Sequence, residues 1–443
     1  MSDTITRVHD GLRAGTRCPV ELLETRIARI EALDSKINAF SELDLPGARA
    51  AAANSKARFA AGEPLGPLDG IPVAVKANIG MRGMALHAGI AGRRHITASA
   101  DSHAVSRLRA AGALLVGTTN MDEAALSATG SSPGFGQTLN PHDPGRSAGG
   151  SSGGSAAAVV SGMVLASLGT DALGSGRIPA SLSGCTGFRP SKNLVSTDGC
   201  VPVSFTFDTV SPMAGCADDA FHILAALLGI PLDTDKLPDS VAGMHFGVPR
   251  DLIEATPHMA SETMAAFDAA LDTLKELGAS VREVSLPFSQ AETARKAAFL
   301  ICMTEAAEYH GTMIQQNPEG FSERTRKLLE YGMALGDPEK LKLATIVAEA
   351  GDRLAEILLG ADAILTPTTP FPAGETGAEP PESIANFTAL AGMTATPALS
   401  VPMQIPGGLP ALPQGLQIIT DSLQERKAVT IARAYEKARG PLL

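Results

Sequence analysis

Short apolar runs of strand length alternate with amphipathic runs of helical length along almost all of this chain. That alternation constrains the fold more than any other feature. "GIPVAVK" (residues 70–76) places Ile71, Val73 and Val75 at the period of two of a strand. "GALLVG", "ASLGTD", "MHFGVP", "ASVREV", "AILTPT", "PALSVP" and "GLQIIT" read as further strands. Between them, residues 19–33 carry Val20, Leu23, Ile27 and Ile30 at helical spacing, with Pro19 suited to the first turn. Residues 261–278 put Met264, Phe267, Leu271, Leu274 and Leu277 on one face and end on Gly278 as a cap. Residues 290–360 are expected to be mostly helical, and a closing helix to begin near Leu423. The predicted class is α/β, a large mixed β-sheet core covered on both faces by α-helices. The 443 residues exceed the usual size of one core, but no repeat, low-complexity linker or charge run divides them, so one domain over 1–443 is expected.

Charge and cysteine usage narrow the function. With 36 basic against 47 acidic side chains, the net charge of −11 offers no footprint for nucleic acid or an anionic membrane. The five cysteines are scattered without a CxxC pair, and the nine histidines never form HExxH. Neither a disulfide framework nor a metal site is expected. The N-terminus lacks the pattern of a signal peptide, and the longest apolar stretch, 156–168, is too short to span a bilayer. A cytoplasmic protein is the simplest reading, and a homodimer stays open.

Two glycine–serine segments carry the chemistry. In "GRSAGGSSGGSAAAVV" (145–160) a phosphate cradle would need a following Lys-Ser/Thr or a GxGxxG, and neither is present. Gly150 to Gly154 match the G-x-S-x-G of a nucleophile elbow with Ser152 as nucleophile, but the elbow needs a buried strand just before it, and "NPHDPGRSA" is no core strand. A flexible surface loop is the bland alternative. In "SLGTDALGSGRIPAS" (167–181) Ser175 sits between Gly174 and Gly176 in a turn that follows a strand. The N–H groups of Ala172, Leu173, Gly174 and Ser175 can converge there on one developing oxyanion. Arg177 either binds a substrate carboxylate or pairs with Asp171 to brace the turn. Asn120 and Met121 end a strand near the expected pocket. Lys76 ends an apolar strand, where it is either a snorkelling edge residue or a desolvated amine neutral enough to accept a proton.

"GIPVAVK", "GGSSGGS" and "GTDALGSGRIPA", in this order and spacing, resemble the amidase signature family. The resemblance continues in "RLRAAGALLVGTTNMDEAA", "DAILTPTTP" and "LPQGLQII", and so covers nearly the whole chain. It implies a Ser–cis-Ser–Lys triad on a mixed sheet wrapped in helices. Lys76 is then the base, Ser151 the proton relay on a cis Gly150–Ser151 peptide, and Ser175 the nucleophile. Ser152 becomes a supporting hydrogen-bonder. N-terminal helices are expected over about 1–65, the signature core over about 66–215 and a helical substrate-pocket region over about 250–360. Two positions depart from the family pattern. Leu173 stands where a glycine is usual, and Ala77 follows the lysine where many relatives carry an acid.

The resemblance implies hydrolysis of a small-molecule carboxamide through an acyl-enzyme on Ser175, with no metal, nucleotide or organic cofactor. A ureido, biuret or carbamate hydrolase is a chemical neighbour. The A-type component of a glutamine-dependent tRNA amidotransferase is a rival of another class, although "CTGFRPSKNLVSTDGCVP" lacks the run typical of those proteins. An intact triad argues against a non-catalytic binding module.

Overall fold

The computed structural model describes residues 3–231, 236–405 and 412–440. In chain order its strands are β1 (Phe40–Leu43), β2 (Pro72–Lys76), β3 (Leu114–Thr119), β4 (Ser131–Ser132), β5 (Gly136–Gln137), β6 (Ala166–Asp171), β7 (Thr186–Arg189), β8 (Thr209–Ala214), β9 (His245–Val248), β10 (Ser280–Glu283), β11 (Ala363–Pro367), β12 (Ala398–Pro402) and β13 (Gly415–Ile419). Eleven of them form one sheet in the order β1-β3-β2-β6-β8-β7-β12-β13-β11-β9-β10, and β4 pairs with β5 in a separate ribbon. β2 runs parallel to β3 and β6, and β9 runs parallel to β10 and β11. From β6 through β8, β7, β12 and β13 to β11 each pairing is antiparallel.

The sheet is buried on both sides because successive residues of its strands enter different cores. Val73 and Val75 of β2 join one apolar cluster with Ile223 and Leu224 of the helix Ala217–Leu228. Ala74 between them joins a second cluster with Ile27 and Ile30 of the helix Pro19–Ile37 and with Ala156–Ala158 of the helix Gly153–Val160. Every residue of β2, β3, β6 and β8 is buried, as expected for strands packed between two layers of helices.

The helices follow the sequence expectations with shifted ends. The helix that starts with Pro19 runs on to Ile37 and stops where Asn38 turns left-handed. The helix Ser261–Glu276 is followed by Leu277 and by Gly278 at φ 89°. Residues 290–360 resolve into three helices, Phe288–Gln316, Glu323–Ala334 and Asp337–Leu359, and the closing helix spans Glu425–Arg439. Among the described residues, no helix is long and apolar enough to cross a membrane. Since β2 and β6 are parallel neighbours, their carboxyl ends share one edge of the sheet. Lys76, Thr170 and Asp171 are thereby brought together, in the position where open α/β sheets place their ligands.

Candidate active site

Lys76 is the last residue of β2, which lies inside the sheet, and its side chain is 0% exposed. The snorkelling alternative therefore falls away. Its Nζ donates to Ser151 Oγ at 2.7 Å and to Thr170 Oγ1 at 2.9 Å. Burial pushes its pKa down to about 7, against the opposing pull of Asp122, Asp208 and Asp171. A lysine in this setting is substantially neutral near pH 7.

Ser151 follows a cis Gly150–Ser151 peptide. Gly150 is required here by a close approach, since a Cβ at this position would collide with Asp122 Oδ1. The Asp122 N–H donates to the Ser151 carbonyl at 3.2 Å. Asp122 Oδ2 accepts from the N–H and hydroxyl of Thr129 and from the Gly130 N–H. Burial raises the Asp122 carboxyl to about 6, although hydrogen bonds and Lys76 oppose the rise. Ser152 is fully buried and immediately precedes the helix Gly153–Val160, to which its side chain makes no capping hydrogen bond. Its hydroxyl meets the Thr170 backbone at 3.3 Å on both N–H and carbonyl, and its own N–H donates to the Ser175 carbonyl at 3.2 Å. It supports the two serine loops and does not face the cavity.

The turn that carries Ser175 is organised by Asp171. Its carboxylate accepts from the N–H groups of Gly174 (2.9 Å), Gly176 (3.2 Å) and Arg177 (3.3 Å). It also receives Arg177 Nε at 2.9 Å and Nη2 at 2.8 Å, and the Arg189 guanidinium stands 3.6 Å away. Burial alone would raise this carboxyl, but the charges and hydrogen bonds of Arg177 and Arg189 hold it down at about 2. Arg177 is completely buried, and its third arm donates to Gln417 Oε1 at 2.6 Å.

Of the two roles open to Arg177 the geometry favours the brace, because its guanidinium is engaged by Asp171 and Gln417. The other expected site residues need three corrections. The Gly174 N–H leaves the proposed oxyanion set, because it is bonded to Asp171. The N–H groups of Ala172, Leu173 and Ser175 make no hydrogen bond among the described residues and remain available. Asn120 and Met121 do not reach the pocket. The Asn120 carbonyl oxygen Oδ1 accepts from the Met121 N–H at 2.9 Å and Met121 is core. Finally, the continuous chain expected from Lys76 to Ser175 is formed at its first link only. Ser175 Oγ makes no hydrogen bond among the described residues.

Leu173 fits the turn without strain. The left-handed backbone falls on Gly174 (φ 135°), whose absent Cβ leaves room for Thr388. The Thr388 hydroxyl in turn donates to the Leu173 carbonyl at 2.7 Å.

Ser175, Ala172, Leu173 and Gly150 border a cavity of about 530 Å³. Phe299, Leu300 and Met303 from the helix Phe288–Gln316 and Leu328 from the next helix form apolar walls. Sequence reasoning missed the contribution of residues 379–385 and 125–128, which carry no periodic signal. It also missed Thr170, Asn78 and Asp122. Thr170 Oγ1 accepts from Lys76 and, at 3.2 Å, from Asn78 Nδ2. Asn78 lies in the turn that follows β2, where the Ile79 N–H donates to the Lys76 carbonyl at 2.8 Å, so the strand period gives no signal for it. Among the described residues no group of three or more His, Cys, Asp or Glu is placed to hold a metal ion.

Comparison with known proteins agrees with this geometry. The family described as Amidase matches residues 21–429. The chain is 35% identical to the A-type component of a glutamyl-tRNA(Gln) amidotransferase from Anaeromyxobacter sp. (strain K), over 98% of this chain and 95% of that one. A crystal structure of an amidase superposes with a TM-score of 0.91 at 34% identity, covering 99% of this chain and 100% of the other. The corresponding glutamyl-tRNA(Gln) amidotransferase component from Thermotoga maritima superposes with a TM-score of 0.78 at 29% identity, covering 96% and 94%. With its family match, its fold and its buried lysine–serine pair at one sheet edge, the chain belongs to the amidase signature family.

Proposed function

We propose that the chain hydrolyses carboxamides through an acyl-enzyme on Ser175. Neutral Lys76 takes the Ser151 hydroxyl proton, Ser151 takes that of Ser175, and Ser175 Oγ attacks the amide carbon. The N–H groups of Ala172, Leu173 and Ser175 meet the charge that develops on the carbonyl oxygen. The relay returns a proton to the leaving nitrogen as the C–N bond breaks. Water then attacks the ester, giving its proton to the same relay and freeing Ser175. The observation that carries the reading is Lys76, a fully desolvated amine bonded to Ser151 beside the cavity that Ser175 borders.

The test is covalent labelling. A fluorophosphonate is expected to modify Ser175, mapped by mass spectrometry, and to leave Ser175→Ala unmodified. A label on Ser152 would restore the elbow reading.

The names of the relatives favour a second reading, the A-type component of a glutamine-dependent tRNA amidotransferase. The closer superposition on an amidase (0.91 against 0.78) favours the hydrolase reading. Turnover of simple amides by the purified chain alone is the expected result. Amide release only after partner proteins of such a complex are added would establish the amidotransferase reading.

A further inference from the structure

One turn before the apolar wall residue Phe299, on the same helix, lies a cation that the proposed chemistry does not use. Arg295, on the helix Phe288–Gln316, lines the cavity with a side chain only 8% exposed. Among the described residues its one side-chain hydrogen bond runs from Nη2 to Glu382 Oε2 at 3.0 Å, and its Nε is buried without a partner. A guanidinium has five N–H donors in a fixed fork, so most of this fork is unused. Glu382 is a loosely held partner, because its side chain is 76% exposed. Lys296 and Arg324 also line the cavity, but each is paired with its own carboxylate, Glu292 at 3.0 Å and Glu379 at 3.4 Å.

A desolvated guanidinium with free donors, facing an apolar cavity, suits a bidentate carboxylate. The cavity that Arg295 lines is also the one that opens on Ser175, so a chain acylating Ser175 and the fork of Arg295 share one space. We infer that Arg295 receives a carboxylate at the far end of the acyl chain, displacing Glu382. The preferred substrates are then monoamides of dicarboxylic acids, with an apolar spacer between amide and carboxylate. The inference rests on the reading of Ser175 as nucleophile.

The experiment compares monoamides of dicarboxylic acids, from succinic to suberic, with neutral primary amides of equal length. Turnover is measured on the wild type, and binding by calorimetry on Ser175→Ala. The best monoamide is expected to exceed its neutral counterpart by about tenfold or more in kcat/KM, mainly through KM, as for a site built around a substrate polar group. Arg295→Gln is expected to lower kcat/KM far more for the monoamide than for the neutral amide. Glu382→Gln, which frees the fork, is expected to tighten carboxylate binding. A purely structural ion pair predicts the opposite sign for Glu382→Gln, namely weakening alongside Arg295→Gln.

Equal or better use of neutral amides across the series would overturn the inference, as would weakened binding in both variants. Hydrolysis of neutral amides without carboxylate preference would overturn it and leave Ser175 as nucleophile. Arg295-dependent binding without hydrolysis would overturn the role of Ser175 and leave the carboxylate site standing. Neither binding nor hydrolysis would overturn both.

Discussion

Lys76→Ala is expected to lower kcat/KM by on the order of 10⁴-fold or more, the scale seen when one member of a cooperating catalytic set is removed. Lys76→Arg should be as damaging, because a guanidinium stays protonated and cannot accept the serine proton. In the wild type only the neutral amine is competent. With its pKa pushed by burial to about 7, kcat/KM should rise through a single ionisation near neutrality and level off above it. Below the midpoint it should fall about tenfold per pH unit. Asp122 favours the ammonium through its charge, so Asp122→Asn should move the midpoint to lower pH. The same shift has a stability consequence of fixed sign. The folded value near 7 lies below the ordinary 10.5, so the unfolded chain binds the extra proton between them. The penalty from Lys76 is full below pH 7, fades as pH rises and is gone above 10.5. Lys76→Met should therefore raise Tm more at pH 6 than at pH 9. A wild-type profile that is flat from pH 6 to 9, or near-native turnover by Lys76→Arg, would remove Lys76 from the role of base.

What was legible in the sequence was whatever repeats or stands adjacent. The strands could be read because Val73 and Val75 alternate with Ala74, and that alternation is what feeds two cores. Ser151 and Lys76 could be named because three short segments keep their order and spacing. The oxyanion turn was half legible. Asp171, Gly174 and Arg177 lie within seven residues of each other, yet nothing in their spacing says that the carboxylate captures the Gly174 N–H. That depends on where the end of β6 points the side chain. Asn120 was misplaced for a similar reason. It directly follows β3, but its amide turns toward the backbone of Asn38, Phe135 and Gly136. Arg295 and Glu382 are 87 residues apart and meet only through tertiary packing.

Asp171→Asn is expected to be the most damaging conservative change in the protein. It keeps the shape of the side chain but leaves the Arg177 and Arg189 guanidiniums, both completely buried, without their counter-charge. Removing one partner of a buried ion pair typically costs about 3–5 kcal/mol, and here two cations share the one carboxylate. Arg177→Met should cost less, because Asp171 keeps Arg189 and the N–H groups of Gly174 and Gly176. Urea unfolding should rank the variants in that order. Activity should fall with them through kcat, since the carboxylate fixes the turn that presents Ser175 and the N–H groups of Ala172, Leu173 and Ser175. Acid adds an independent check. The folded pKa of about 2 lies below the ordinary 3.8, so the stability Asp171 contributes is present above pH 3.8 and lost as pH falls toward 2. Asp171→Asn should show no such loss across that window, and its stability relative to wild type should improve as the acid is increased. If Asp171→Asn unfolded at the wild-type urea midpoint at pH 7, the carboxylate would not be the element that holds the turn.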